Sequence, residues 1–375
     1  MLSKFYVREH IKSALQEDIG FGDITTENLA GENDFLKAEL NTRNDGVLCG
    51  CEVFKQVFDV LSGEVEIKFY FKDGDLIKKG DKIADLKGPA KDVLMGERLA
   101  LNYIQRLSGI ATETRKYQDA IKPYHAKIVD TRKTTPNFRA FEKYSVFTGG
   151  GALHRFNLSD CAMIKDNHIK LAGSITEAVR KLREKISFTH KIEVECDTFE
   201  QVKEAVECGA DIIMLDNMPV DLMKQAVEYV AAKQLSSYAA KSEECQRAGS
   251  QEVKLFNNSS IDKISQQPLT ETNYSTQTPP HPQGKGVCHD NLSTLQPFNP
   301  STDTDLSPYS PIALSPLNSH TSIPPYLHTS KIIVEASGNV NLDTVNSIAS
   351  TGVDIISSSA IVAKAPTLDL ALDIE

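Results

Sequence analysis

Six short apolar runs in this chain are each followed by residues able to bind an ion or carry charge. Ala126–Asp130 leads into Thr131, Arg132 and Lys133, and Cys161–Ile164 into Lys165, Asp166, Asn167 and His168. Lys191–Val194 leads into Glu195, and Asp211–Leu215 into Asp216 and Asn217. Lys331–Val334 precedes Glu335, Ala336, Ser337, Gly338 and Asn339; Val353–Ile356 precedes Ser357, Ser358, Ser359 and Ala360. Arg132, Lys133 and Lys165, with His154 and Arg155 behind three glycines, form a cationic set suited to a small anion. Arginine forks match carboxylates two bonds at a time. Glu195 and Asp216 are hard oxygen donors of the type that hold a divalent cation. The Ser337–Asn339 and Ser358–Ala360 loops offer N–H groups and hydroxyls to a phosphate. Singly, each residue is also at home as a surface charge or ion pair, and Asp216 as a helix cap. Their recurrence at successive strand ends is what points to a site.

Strand, loop and helix alternate from Lys127 to Ala360, with helices expected at Ile175–Lys185, Phe199–Cys208, Val220–Ala232 and Leu342–Thr351. Such spacing suits βαβ crossovers, and Gly209 and Gly352 stand where helices should close. The fold class is therefore α/β: a TIM-like α/β barrel, whose active site belongs at the C-terminal ends of its strands. Before it, residues 5–18 read as an amphipathic helix with Phe5, Val7, Ile11 and Leu15 on one face. Residues 36–88 read as a small sheet with turns at Asp73-Gly74 and Lys79-Gly80. Residues 91–121 read as one long helix with Gly109 as its weak point. The expected division is an N-terminal α+β sandwich domain over 1–106 and the barrel over 107–375. From Gln234 to Ser330, 97 residues hold 11 of the chain's 16 prolines. This stretch, about 234–330, reads as a disordered insertion between a helix and the next strand.

Composition narrows the function. A net charge of −10 gives no global field for nucleic acid. Residues 130–170 nevertheless hold seven Lys/Arg against four acids, as a small anionic ligand requires. The seven cysteines form no paired CxxC motif, which suggests a reducing cytosol and a cytoplasmic protein. No secretory leader is expected at Met1–His10, and no run is long and apolar enough to span a membrane.

Ordered motifs then carry a resemblance. Asp130-Thr-Arg-Lys-Thr-Thr-Pro136, Gly149-Gly-Gly-Ala-Leu-His-Arg155, Ile164-Lys-Asp-Asn-His168, Glu193-Val-Glu195, Leu215-Asp-Asn217 and Glu335-Ala-Ser-Gly-Asn339 follow Glu17–Thr25 and Gly96–Asn102. Together, over nearly all of 1–231 and 331–375, they resemble the quinolinate phosphoribosyltransferases. The resemblance implies the conversion of quinolinate and phosphoribosyl pyrophosphate to nicotinate mononucleotide, pyrophosphate and CO2, with Mg2+ as cofactor. It implies substrate binding by Arg98, Thr131, Arg132, Lys133, His154, Arg155 and Lys165, and catalytic roles for Lys133, Glu195 and Asp216. Glu195 and Asp216 would hold the metal and the ribose. Ser337, Gly338, Asn339, Ser358, Ser359 and Ala360 would hold the 5′-phosphate. Ser359 departs from the glycine usual in the family. A homodimer or larger homo-oligomer is implied, with the small domain of one subunit closing the barrel mouth of the other and Arg98 crossing between them. Three alternatives stay open: a related phosphoribosyltransferase with another acceptor base, a non-catalytic phosphate-binding scaffold, and an aldolase-type barrel.

Overall fold

The computed structural model describes residues 2–237 and 331–375. The expectation of disorder at 234–330 falls outside the described residues, except for 234–237, which continue a helix.

The N-terminal part contains α1 (Lys4–Ile19), α2 (Ile24–Leu29), β1 (Phe35–Thr42), β2 (Gly46–Val47), α3 (Cys51–Leu61), β3 (Glu66–Phe69), β4 (Leu76–Ile77) and β5 (Lys82–Pro89). Val7, Ile11 and Leu15 of α1 are buried as their spacing predicts, but Phe5 is 76 % exposed. The stretch read as all sheet holds α3, which buries Val53, Phe54, Val57 and Phe58. Gly74 and Gly80 have φ of 95° and 92°, the left-handed backbone that these tight turns require.

A 31-residue helix, α4 (Ala90–Ala120), follows. Val93, Leu101, Ile104 and Leu107 pack into the small-domain core, and Ile110 and Tyr117 further along pack into the barrel core. The expected division at 106/107 thus lies inside one continuous helix.

The barrel half runs β6 (Lys127–Val129), α5 (Arg139–Thr148), β7 (Ala162–Ile164), α6 (Asp166–Ala172), α7 (Ile175–Arg183), β8 (Ile192–Cys196), α8 (Phe199–Glu207) and β9 (Ile212–Asp216). A helix over 220–237 (α9) follows, then β10 (Ile333–Ser337), α10 (Val345–Ala349), β11 (Ile355–Ser357), α11 (Ala360–Ala363) and β12 (Leu370–Ile374). Six strands form a sheet in the order β6-β11-β10-β9-β8-β7, and every pairing is parallel. From β7 through β11 neighbours in sequence are neighbours in space, and β6 pairs with β11, so the sheet winds in one direction, as a barrel does, with β6 and β7 as its edges. Beyond β6, Val129 makes a single parallel bridge to Ala152. The Arg155 guanidinium reaches from there to the Cys161 carbonyl at the head of β7, 2.9 Å away. Six hydrogen-bonded strands thus form the wall between these two edges. The terminal β12 leaves the barrel and pairs antiparallel with β1 in the small-domain sheet, whose order is β12-β1-β5-β3.

Candidate active site

Because all six strands are parallel, Asp130, Lys165, Glu195, Asp216, Ser337 and Ser358 stand at the same end of the sheet. Pairing of β7 with β8 sets the Lys165 ammonium against the Glu195 carboxylate as an ion pair. The β9–β10 register pairs Asp216 with Ser337. The Asn217 amide donates to Asp216 Oδ2 at 2.8 Å.

The loop after β6 is braced from below. Buried Glu142 of α5 accepts from the Thr135 amide and hydroxyl, both at 2.9 Å, and from Arg106 of α4 at 3.1 Å. Within the loop, Thr131 Oγ1 accepts from the Lys133 amide at 3.0 Å, and Arg139 donates to Thr134 Oγ1 at 2.9 Å. Lys133 is exposed. Among the described residues, none of Arg132, Lys133, Arg139 and Arg155 is paired with a carboxylate. Burial, and then the neighbouring Arg155 and Arg139 guanidiniums, lower the pKa of Arg132. Crowded cations of this kind relax when an anion arrives. Arg98 is exposed on α4, with no partner among the described residues.

His154 is held on every side. Its backbone N–H donates to buried Asp130 at 2.8 Å, and its carbonyl accepts from buried Lys143 at 2.9 Å. Lys143 and Asp130 are themselves ion-paired at 2.7 Å. Burial raises the pKa of Asp130 and lowers that of Lys143, each opposed by the partner's charge. The His154 ring places Nε2 at 3.4 Å from Glu193 and 3.3 Å from Glu335, two buried carboxylates. In the neutral ring Nδ1 accepts from the Arg155 N–H at 2.7 Å, so that tautomer carries its proton on Nε2. Burial works against a charged His154, but hydrogen bonds and charge from Glu193 and Glu335 outweigh it and push its pKa up to about 10. Burial also raises that of Glu193. The three groups have the spacing of metal ligands, but a protonated Nε2 has no lone pair for a metal. Sequence reasoning had offered His154 to the substrate; the structure commits both ring nitrogens internally. It had also placed Glu335 after its strand, whereas Glu335 lies within β10.

The two small-residue loops differ. The Ser358 hydroxyl is spent on the Val340 carbonyl at 3.3 Å and the Ala360 amide at 3.2 Å. Ser359 has φ −76° and ψ −19°, an ordinary right-handed backbone, so its replacement of glycine brings no strain. Its hydroxyl has no partner among the described residues. Gly338 and Asn339 have φ of 87° and 51°. Sequence reasoning missed the supporting set of Arg106, Asp130, Arg139, Glu142, Lys143 and Glu193. The available signal was charge inside otherwise apolar elements, as at Glu193 and Lys143.

Parallel winding with polar strand ends defines a barrel enzyme that handles anions. The profile of the quinolinate phosphoribosyl transferase N-terminal domain matches residues 23–108, and that of the C-terminal domain matches 110–274 and 322–373. The chain belongs to the quinolinate phosphoribosyltransferase family. A Bacillus subtilis protein named "Probable nicotinate-nucleotide pyrophosphorylase (carboxylating)" is 47 % identical over 216 residues, 58 % of this chain and 74 % of that protein. A Synechocystis protein of the same name is 33 % identical over 360 residues, covering 96 % and 90 %. The crystal structure of the nicotinate-nucleotide pyrophosphorylase of Ehrlichia chaffeensis superposes with a TM-score of 0.70 at 30 % identity, covering 100 % of this chain and 99 % of that one.

Proposed function

We propose that the protein transfers the phosphoribosyl group of phosphoribosyl pyrophosphate to quinolinate, yielding nicotinate mononucleotide, pyrophosphate and CO2 for NAD biosynthesis. Such an enzyme is a pentosyltransferase. The observation that carries this reading is the crowd of cations unpaired with carboxylates, around Arg132, at the strand ends that also carry Glu195 and Asp216. A dianion with adjacent carboxylates relieves the repulsion there. Arg132, Lys133 and Arg155 orient it, with Lys165 beside them. The pyridine nitrogen attacks the anomeric carbon as pyrophosphate leaves. The C2–carboxylate bond then breaks, CO2 departs, the electron pair stays on C2 beside the cationic nitrogen, and C2 takes up a proton. The protein supplies position and electrostatics.

Mg2+ fits the donor set at Glu195 and Asp216. Both are part-exposed carboxylates at neighbouring strand ends, each with one oxygen engaged, by Lys165 or Asn217. Their second oxygens have no hydrogen-bond partner among the described residues. Bound there, the ion would neutralise the departing pyrophosphate. The backbone and Ser359 hydroxyl of the two loops would take the 5′-phosphate, with Thr131 supporting Lys133.

We assign a homodimer with shared sites, because exposed Arg98 lacks a partner within its own chain's described residues and the family resemblance sends it to a neighbour. No helix among the described residues is long and apolar enough to cross a membrane. The cytoplasm is proposed from cysteine usage; two plant relatives are named as mitochondrial and chloroplastic.

Titration calorimetry with quinolinate tests the anion pocket. Arg132→Ala and Lys133→Ala should each lose about 2–5 kcal/mol of binding while keeping native circular dichroism. Near-normal affinity in both would sink the assignment.

A further inference from the structure

Asn217, Gly338 and Asn339 occupy adjacent strand ends with backbones in the left-handed region, at φ 52°, 87° and 51°. Asn137 is the only other non-glycine residue with positive φ among the described residues. A contact network explains this concentration. The Asn217 N–H donates to the Ser337 carbonyl at 2.9 Å, continuing the β9–β10 ladder. Its side-chain amide donates to Asp216 Oδ2 at 2.8 Å, and its Oδ1 accepts from Asn339 Nδ2 at 3.0 Å. A Cβ at position 338 would stand 2.2 Å from Asn217 Oδ1, so glycine is needed there to leave the amide in place. The amide is the only hydrogen-bond partner of the Asp216 side chain among the described residues.

We propose that Asn217 is a positioning residue for phosphoribosyl pyrophosphate. It fixes the orientation of the Asp216 carboxylate and ties it to the Ser337–Asn339 loop. The carboxylate end and the phosphate end of the site then move as one braced unit. The inference rests on the reading of Asp216 as a ribose- and metal-binding carboxylate. Asparagine suits the task because it tolerates left-handed backbone and offers a donor and an acceptor on one short side chain.

Glycine at 217 keeps the backbone, removes the amide and adds no charge, so Asn217→Gly is the primary variant. Asn339→Gly removes the donor to Oδ1 in the same way. KM for each substrate and calorimetric Kd for phosphoribosyl pyrophosphate with Mg2+ are measured on the full chain. Asn217→Gly should raise both phosphoribosyl pyrophosphate constants by about tenfold or more, the loss expected for a hydrogen bond to a charged group. The quinolinate KM should stay within about twofold, a split that a general loss of structure would not give. Asn339→Gly should act in the same direction but less, and the double variant should be no worse than Asn217→Gly, because both act through one chain of contacts. Unchanged phosphoribosyl pyrophosphate constants, an equal rise for both substrates, or independent effects of the two variants would overturn the proposal. Absence of quinolinate turnover by the wild type would refute the functional reading instead, and the calorimetric comparison would still judge Asn217.

Discussion

At the scale of single residues, His154 shows how burial redirects a side chain that its motif offers to a substrate. Glu193 and Glu335 are both buried, and the ring nitrogen lies between them. His154 holds a proton that the unfolded chain releases near the ordinary histidine pKa of about 6.5. In the folded protein, release is delayed to about pH 10. The stabilisation is therefore complete below about 6.5 and declines as pH rises through about 10, by about 1.4 kcal/mol per pH unit for each additional proton held. Melting curves should fall by several degrees between roughly pH 6.5 and pH 9.5. A melting temperature that holds level over this range would contradict the caged proton. The polar strand ends were legible in the sequence because they break apolar runs. The cage was not. Glu335 looks like the end of a strand by hydropathy, and only a buried partner such as His154 lets a carboxylate continue the ladder inward.

Among elements, α4 does the most to set the architecture, and its Gly109 has a physical cause. A Cβ on Gly109 would lie 2.0 Å from the Pro366 carbonyl oxygen, a backbone atom. Alanine gains about 1 kcal/mol of helix propensity there, but overpacking against fixed backbone costs about 1–3 kcal/mol or more. Gly109→Ala should lower the melting temperature. An equal or higher value would show that the 366 segment yields. The length of α4 was legible from its unbroken periodicity, and so were most barrel helices. The helix α3 was not, because Cys51–Leu61 is rich in Val and Phe and suggests strand locally. Its burial of Val53, Phe54, Val57 and Phe58 follows a helical repeat instead. Strand β12 was missed too, since its partner β1 lies more than three hundred residues earlier.

For the whole molecule, two cores share α4, and the chain's last strand returns to the first sheet. Gln234 of α9 donates to the Ile332 carbonyl at 3.3 Å, just before β10. The proposed shared sites would make activity depend on assembly. Arg98→Ala and Lys165→Ala should each be nearly inactive, and their mixture after subunit exchange should recover about one quarter of wild-type turnover if mixing is random. No recovery despite exchange would place both residues in one chain's site. The proposed reaction joins a ribosyl phosphate to a pyridine dicarboxylate at these strand ends and expels one carboxylate. It is tested most directly by incubating the protein with phosphoribosyl pyrophosphate, Mg2+ and either quinolinate or nicotinate, and following nicotinate mononucleotide and CO2. Equimolar nucleotide and CO2 from quinolinate, with no product from nicotinate, is the expected outcome; turnover of nicotinate alone, or of neither, would overturn the assignment.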